Sequence, residues 1–385
     1  MRRSVYNEDH EAFRQTIRDF IEKEVVPVYP EWEQKGLVPK DFYLKLGELG
    51  VFGIEVPEEY GGAGIDDFRY TAVISEECAR AGVSFGASGV HTNLVLPYLL
   101  AFGNEEQKQR LLPKFVSGEM MTAIAMTEPG TGSDLAGMST NAKLSEDGKH
   151  WILNGAKTFI TGGYQADMVL VVCRTSPITP ENRRAGLSIL IVDTKSEGYA
   201  VGRKLEKIGL RTSDTAELSF TDVKVPVENL LGEEGKGFNY LAHNLVVERL
   251  GIAVGAYASA RAAVDLAVDY TKNRKVFGQA VASFQNTKFE LAACEAEVDA
   301  AEAVVDRAML AYADGELDAA GAAKAKLFAT EVCSRVVDRC LQLHGGYGYM
   351  LEYPIARLYA DNRVFRIYGG TSEVMKIVIA KSMGL

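Results

Sequence analysis

The feature that most constrains how this 385-residue chain folds is a change in the spacing of its apolar residues. In the first part, Phe13, Ile17 and Phe20 are three or four residues apart, which is the spacing of one face of an α-helix. The same spacing predicts further helices at 41–49, 67–81, 92–102 and 105–116. We therefore expect an all-α N-terminal domain.

The spacing then changes twice. Short runs rich in β-branched and aromatic residues, such as HWILNGAKTFIT and DMVLVVCR, follow from residue 119 and are bounded by Gly, Asn, Asp and Pro, as antiparallel strands are. Long alanine-rich helical stretches return at 238–271, 284–313 and 318–343, which is typical of a four-helix bundle. The expected fold class is α+β with three domains: helical (1–118), antiparallel β-barrel (119–228) and four-helix bundle (229–385).

Composition narrows the range of functions. The chain has 42 Lys and Arg against 52 Asp and Glu, a formal net charge of −10, which argues against nucleic-acid binding. The five cysteines form no CxxC pair and the five histidines form no HExxH sequence, so no metal site is expected. No transmembrane run, signal peptide or transit peptide is visible, and we expect a cytoplasmic protein without membrane insertion.

Familiar nucleotide-binding and hydrolase motifs are missing or out of context. No GxGxxG follows a strand and no Walker sequence occurs, which disfavours a nicotinamide-binding Rossmann enzyme and a P-loop ATPase. Residues 82–86 match GxSxG, but a helical run precedes them where a hydrolase has a strand. A glycine-rich turn between helices is the better interpretation.

Two segments combine glycines with short polar side chains. AMTEPGTGSDLAG (125–137) follows an apolar strand, and its backbone N–H groups suit a flat polar ligand, although a well-capped loop has the same composition. QLHGGYGY (342–349) ends a helix and IYGGTSE (367–373) comes later, and there a helix stop with a turn is the alternative.

These segments resemble the acyl-CoA dehydrogenase family over essentially the whole chain. AMTEPGTGSDLAG and QLHGGYGYMLEYPIARLYAD match the two signatures of the family, while RKVFG (274–278) and residues 367–373 match its other cofactor segments. Four motifs in the right order are far more specific than any one of them. The family fold has the same domain order as the one deduced above.

The resemblance implies that FAD binds between the β domain and the bundle, partly across a subunit boundary of a homotetramer. Contacts to the flavin are implied for Ile124, Ala125, Met126, Thr127, Gly132, Ser133, Phe159, Ile160 and Thr161. The remaining cofactor contacts are implied for Arg274, Phe277, Gln285, Gln342, Leu343, His344, Gly345, Gly346, Thr371 and Glu373. Arg274 suits a diphosphate because guanidinium pairs bidentately with phosphate, although alone it could belong to a solvated basic turn.

The catalytic base departs from the commonest family pattern. Many relatives carry a glutamate where this chain has Gly369, whereas long-chain and isovaleryl-CoA dehydrogenases carry it on a helix as Glu-Arg, which resembles Glu248-Arg249. The neighbours Leu245 and Ile252 are apolar, and an apolar setting raises the proton affinity of a carboxylate. We therefore predict Glu248 as the base; the other glutamates in family motifs are Glu128, Glu352 and Glu373.

The implied reaction converts an acyl-CoA to a trans-2-enoyl-CoA in fatty-acid β-oxidation, with electrons passing to an electron-transfer flavoprotein. The backbone N–H of Gly369 is expected to hold the thioester carbonyl. Substrate contacts are implied for Ser133, Val246, Val247, Arg249, Gly369 and Gly370. The absent side chain at position 369 suggests room for branched acyl groups, and the signature segments favour the long-chain subgroup.

Three alternatives share this fold. Flavin monooxygenases that hydroxylate amines need no base, so the presence of Glu248 argues against them. Acyl-CoA oxidases usually carry a further C-terminal helical domain, which is not expected here because the chain stops at Leu385. An inactive CoA-ester-binding subunit is expected to lose the flavin motifs.

Overall fold

A computed structural model describes residues 3–179 and 182–385. Within its first 118 residues all regular elements are helical. Asparagines start two of these helices, since Asn7 and Asn104 each accept a hydrogen bond from the backbone three residues later, as N-caps do. The helices are α1 (Glu8–Phe20), α2 (Tyr29–Lys35), α3 (Lys40–Glu48), α4 (Phe68–Ala81), α5 (Ser88–Val90), α6 (Leu96–Phe102) and α7 (Glu105–Val116).

A seven-stranded sheet forms the middle of the chain. Its strands are β1 (Thr122–Ala125), β2 (Asn141–Leu144), β3 (His150–Thr161), β4 (Met168–Arg174), β5 (Leu187–Asp193), β6 (Tyr199–Lys204) and β7 (Thr215–Pro226). The spatial order is β1-β4-β2-β3-β7-β6, with β5 paired to β4. Most pairs are antiparallel, but β1 runs parallel to β4, with Thr122 opposite Met168. The sheet is a half-barrel.

The two faces of the sheet bury different cores. Along β4, Leu170 and Val172 pack with the N-terminal helices, whereas Val169 and Val171 pack inside the half-barrel. This alternation is the period of two expected of a strand, and burial on both faces explains its continuous apolar run. The sheet is therefore fixed against the N-terminal helices.

The last part is dominated by three long helices. They are α8 (Gly237–Asn273), α9 (Gln285–Ala313) and α10 (Ala319–His344), with a hairpin of β8 (Lys275–Val276) and β9 (Gln279–Ala280) between the first two. Two shorter helices, α11 (Pro354–Asn362) and α12 (Ser372–Ser382), pack against α10. Buried alanines such as Ala253, Ala260 and Ala329 line the α8–α10 side of this core.

The fold class predicted from the sequence is confirmed, with two differences of detail. The sheet contains two parallel pairings, β1 with β4 and β2 with β4, and the bundle consists of three long helices with two short ones. Among the described residues, α8 is long and apolar enough to cross a membrane by length and composition, but 61% of the relevant window is buried inside the protein. A buried core helix has the same composition.

Candidate functional site

A buried ion pair holds the loop between β1 and β2. Lys157 donates hydrogen bonds from Nζ to Glu128 Oε1 at 3.0 Å and to the Met126 carbonyl at 2.9 Å. The Glu128 carboxylate also accepts from the backbone N–H groups of Ser139 at 2.7 Å and Thr140 at 2.9 Å. Burial alone would raise the pKa of Glu128, but these hydrogen bonds and the Lys157 charge lower it to about 2. Glu128 is therefore a structural carboxylate and a poor candidate for the base.

Phe159 stands out on the neighbouring strand. It lies in an irregularity of the β3–β7 register between Lys157 and Ile160, has a φ of 59°, and leaves 67% of its surface exposed. Positive φ is uncommon for an aromatic residue, so the bulge holds the ring in place at a cost. A ring presented in this way can stack on a planar ligand.

The other predicted residues of this region divide by burial. Thr127 is joined to β3, because its carbonyl accepts a hydrogen bond of 2.9 Å from the Thr158 N–H. The side chains of Ile124, Ala125 and Ile160 belong to the core. Those of Met126, Thr127 and Thr161 are half-buried, and Gly132 and Ser133 are exposed.

A second group of predicted residues lines a cavity of about 440 Å³ at the adjoining ends of α8 and α10. The Arg274 guanidinium lies 5.2 Å above the Tyr347 ring. His344 supports the wall, because its Nδ1 is 2.8 Å from the Cys340 carbonyl and its ring stacks on Tyr270 at 4.4 Å. The cavity brings together Arg274, Gln342, Leu343, His344, Gly345 and Gly346.

Four predicted cofactor residues lie outside this cavity lining in the described part of the chain. Phe277 is 96% exposed at the tip of the β8–β9 hairpin. Gln285 is the exposed first residue of α9. Thr371 caps α12 by accepting a hydrogen bond from the Val374 N–H, and Glu373 is exposed in the first turn.

The glycines of both groups leave room for a ligand. A Cβ atom on Gly132, Gly345 or Gly346 would meet nothing within 4 Å. Backbone N–H groups beside such space can approach phosphate or a ring edge closely. The residues present therefore fit FAD, because Phe159 is suited to stack on a ring system and Arg274 is suited to pair with a diphosphate.

The predicted base lies beside the glycine turn. Glu248 is half-buried on α8, and a Cβ atom on Gly369 would stand 3.3 Å from its Oε1. Burial raises the pKa of Glu248 to about 6, opposed by the positive charges of Arg249 and Lys326. The carboxyl group is thus poised to accept a proton near neutral pH. By contrast, Glu352 and Glu373 are exposed to solvent.

The space expected at Gly369 is filled. The same hypothetical Cβ atom would overlap Cδ1 of Ile252, one turn after Glu248 on α8. Gly369 has a φ of 61° and Gly370 a φ of 95°, so the turn favours glycine at both positions. Removing the glutamate side chain has therefore opened no cavity for branched groups at the position of the Cβ atom.

Lys326 is a member of this site that the sequence analysis missed. Its side chain is 1% exposed, and its Nζ donates a hydrogen bond to the Gly370 carbonyl. Arg249, predicted to contact substrate, donates from Nε to the Gly369 carbonyl at 3.3 Å. The signal available was position, because Lys326 shares a buried stripe of α10 with the small residues Ala322 and Ala329.

Comparisons with known proteins agree with this architecture. Models of the N-terminal, middle and C-terminal domains of acyl-CoA dehydrogenase match residues 7–119, 123–223 and 235–384. The mitochondrial long-chain specific acyl-CoA dehydrogenase of Sus scrofa is 42% identical over 99% of this chain and 88% of its own length. An acyl-CoA dehydrogenase structure from Geobacillus kaustophilus is 46% identical over 99% of both chains, with a TM-score of 0.95. One from Bacillus anthracis, complexed with FAD, is 34% identical over 98% of this chain and 66% of its own, with a TM-score of 0.91.

The fold and the site define a flavin-dependent oxidoreductase of three domains. The chain belongs to the acyl-CoA dehydrogenase family. Enzymes of this family depend on FAD and act on the CH–CH group of acyl-CoA thioesters.

Proposed function

We propose that Glu248 is the base that removes the α-proton of an acyl-CoA thioester. The observation that carries this proposal is the position of its carboxylate, 3.3 Å from where a side chain on Gly369 would begin. A carboxylate supplied by α8 can thus occupy the region that a glutamate at position 369 would reach. Its pKa of about 6 leaves it ionised at neutral pH, yet more basic than an ordinary glutamate.

The backbone of Gly369 is the second element of the proposed chemistry. An α-proton is acidic enough to remove only when the developing enolate oxygen is stabilised by hydrogen bonds in place beforehand. The Gly369 N–H donates to the thioester carbonyl in this proposal. Arg249 binds the carbonyl of the following peptide group, between Gly369 and Gly370, and so helps to hold the turn that contains this N–H.

FAD is the oxidant. When bound, it accepts the β-hydrogen of the substrate as a hydride, which leaves a trans-2-enoyl-CoA as product. Phe159 and the loop at Thr127, Gly132 and Ser133 would hold the ring system. Arg274 and the backbone of residues 342–346 would hold the phosphates, partly across a subunit boundary.

We further propose a long-chain or branched acyl-CoA as substrate, in contact with Ser133, Val246, Val247, Arg249, Gly369 and Gly370. The helix-borne glutamate and the similarity to a long-chain enzyme support this choice. Because Ile252 fills the space beside the glycine turn, a branched acyl group would have to be accommodated by other parts of the pocket.

The remaining features of the proposal follow the family pattern. The electron acceptor is an electron-transfer flavoprotein, the protein is a homotetramer of the cytoplasm, and the pathway is fatty-acid β-oxidation. The domain limits are 1–118, 119–228 and 229–385, which is supported by the end of α7 at Val116 and the start of α8 at Gly237.

An acyl-CoA panel tests the reaction and the substrate class together. Straight-chain and branched acyl-CoA thioesters are mixed anaerobically with the FAD-loaded protein, and bleaching of the flavin absorbance is followed. Stoichiometric bleaching, fastest with long or branched chains, is the expected result. If no chain length bleaches the flavin, the proposed function is wrong, and rapid peroxide formation in air would identify an oxidase instead.

A further inference from the structure

Two buried cations from different helices hold the glycine turn. Arg249 of α8 binds the Gly369 carbonyl at 3.3 Å, and Lys326 of α10 binds the Gly370 carbonyl. Their residues are 5% and 1% exposed, respectively. Adjacent peptide groups of one turn are therefore held by two positive charges from two different helices.

A charged lysine buried at this position destabilises the folded protein unless its charge is compensated by an interaction. Taking an ammonium group out of water costs several kcal/mol if nothing compensates it. A neutral carbonyl satisfies one of its three N–H groups but not its charge. The stem of Lys326 and the Glu248 carboxylate border the same point. A Cβ atom on Gly369 would stand 3.7 Å from Cε of the lysine and 3.3 Å from Oε1 of the glutamate, so these two atoms are at most about 7 Å apart.

We propose that Lys326 is a positioning residue of the reaction: it fixes the Gly369–Gly370 turn through the Gly370 carbonyl, and its charge keeps Glu248 ionised. This inference rests on the proposed role of Glu248 as the base. It goes further because it assigns a function to a side chain that neither accepts the proton nor contacts the acyl group.

The charged and titratable groups facing Glu248 come from four places. Arg249 lies on its own helix, Lys326 on α10, Tyr98 on α6, and Tyr368 precedes α12. Burial and the Glu248 charge raise the pKa of both tyrosines, so they stay neutral at working pH. Among the residues that the structure describes, only the two cations oppose the effect of burial on the pKa of Glu248.

Lys326 itself remains positive where Glu248 titrates. Burial, followed by the charge of Arg249, lowers the pKa of Lys326 to about 8, while Glu248 opposes the change. Near pH 6 the lysine is therefore still protonated. Without its charge, burial raises the pKa of Glu248 further, and a larger fraction of the enzyme holds a protonated, inactive base at neutral pH.

The test is the pH dependence of anaerobic flavin reduction by an acyl-CoA in Lys326→Met. We expect the midpoint of the acidic limb to move upward by about one pH unit, and the rate at pH 6 to fall about fivefold. Lys324→Met is the matched control, because Lys324 is exposed two residues away on the same helix. Lys326→Arg retains a charge and donors and should restore most of the wild-type profile.

A binding measurement distinguishes the effect of Lys326 on the glycine turn from its effect on the ionisation of Glu248. At pH 7.5, where Glu248 is mostly ionised in every variant and Lys326 is mostly protonated in the control, Lys326→Met should bind an enoyl-CoA several-fold more weakly than Lys324→Met does. A folded, FAD-containing Lys326→Met with an unchanged acidic limb overturns the charge role, and unchanged enoyl-CoA affinity overturns the role in fixing the turn.

A second neutral variant serves as the control for a folding defect. If Lys326→Met does not fold, Lys326→Gln, which keeps an N–H donor without charge, must show the same shift of the acidic limb. If neither folds while Lys326→Arg does, the lysine is structural and the inference is wrong. Failure of the base assignment looks different, because Glu248→Gln would then retain flavin reduction whatever the behaviour of Lys326.

Discussion

The carboxylate of Glu248 and the backbone of Gly369 face each other so closely that a Cβ atom on the glycine would stand 3.3 Å from Oε1. Residues 121 positions apart in the chain therefore compete for one small volume. A glutamate at either position delivers its carboxylate to the same region, and Ile252 fills part of what remains. On the proposed role of Glu248, the base can thus be carried by a helix or by a turn without moving the reaction centre.

Replacing Glu248 by Gln should remove the proton acceptor while preserving shape. We expect flavin reduction by an acyl-CoA to slow by about 10²–10⁴-fold, the usual contribution of a positioned general base. Stopped-flow absorbance under anaerobic conditions measures this rate. FAD content should not change. Glu316→Gln, at an exposed turn before α10, is the matched control and should behave as the wild type.

The wild-type rate should depend on pH through Glu248. A base works only when it is ionised, so the rate of flavin reduction should fall as pH drops through about 6 and level off above it. Single-turnover rates between pH 5 and 8 give this profile. A midpoint near 4.5, the ordinary glutamate range, would mean that burial does not raise the pKa of the base.

Gly369→Ala should destabilise the protein. The residue has a φ of 61°, which disfavours a side chain, and the new Cβ atom would overlap Ile252. We expect a loss of about 2–4 kcal/mol in the free energy of unfolding, from backbone strain and overpacking together. Chemical denaturation measures it. Gly130→Ala, whose Cβ atom would meet nothing within 4 Å, should change stability by less than about 0.5 kcal/mol.

Gly369→Glu is expected to fail as a replacement base for the same reason. Combined with Glu248→Gln, it should not restore flavin reduction unless Ile252 is also shortened. Adding Ile252→Ala to these two substitutions removes the overlapping Cδ1 atom. If flavin reduction recovers only in the triple variant, the side chains at positions 248, 252 and 369 occupy the same space. Recovery in the pair alone would contradict it.

The Lys157–Glu128 pair should control the stability of the flavin loop. Lys157→Met leaves a buried carboxylate without its cation, which costs about 3–5 kcal/mol. Adding Glu128→Gln should recover part of that loss, because the uncompensated charge is gone. Thermal unfolding of the single and double variants measures both effects. FAD content should fall with the single change.

The same pair predicts an acid sensitivity. The pKa of Glu128 is about 2 in the folded protein, against about 4.3 in an unfolded chain. Its stabilising contribution is therefore present above pH 4.3 and is lost as pH falls towards 2. Between pH 5 and pH 3, the free energy of unfolding should decrease less with falling pH in Glu128→Gln than in the wild type.

Local chemistry made much of the helical structure predictable. Helix α7 was predicted at 105–116 and occupies Glu105–Val116, because Asn104 and Gln107 cap it with reciprocal hydrogen bonds at 2.8 and 3.2 Å. The pairing of strands is harder to predict from the sequence. The parallel contact of β1 with β4 joins segments more than 40 residues apart, and nothing in either strand specifies the direction of its neighbour.

Site residues that lie in sequence motifs could be predicted, whereas those outside motifs could not. Glu248 was chosen from its sequence neighbours and the glycine at position 369, whereas Lys326 lies in an alanine-rich helix that resembles an ordinary surface stretch. Its role depends on where the turn after α11 folds back over α10, and that contact is tertiary. The stacking of His344 on Tyr270 was equally hidden, since the glycines around it suggested backbone contacts only.

Helix α8 has a consequence for how sequences of this kind can vary. It carries Glu248 near its start and ends beside Arg274, about 39 Å further on at 1.5 Å per residue. One uninterrupted rod thus sets both the distance and the angle between Glu248 and Arg274, which lies too far away to bind the phosphates of a FAD molecule beside Glu248. Inserting or deleting a single residue between them would turn one end by about 100° relative to the other. Exposed side chains along this helix can change, but the number of residues between Glu248 and Arg274 cannot.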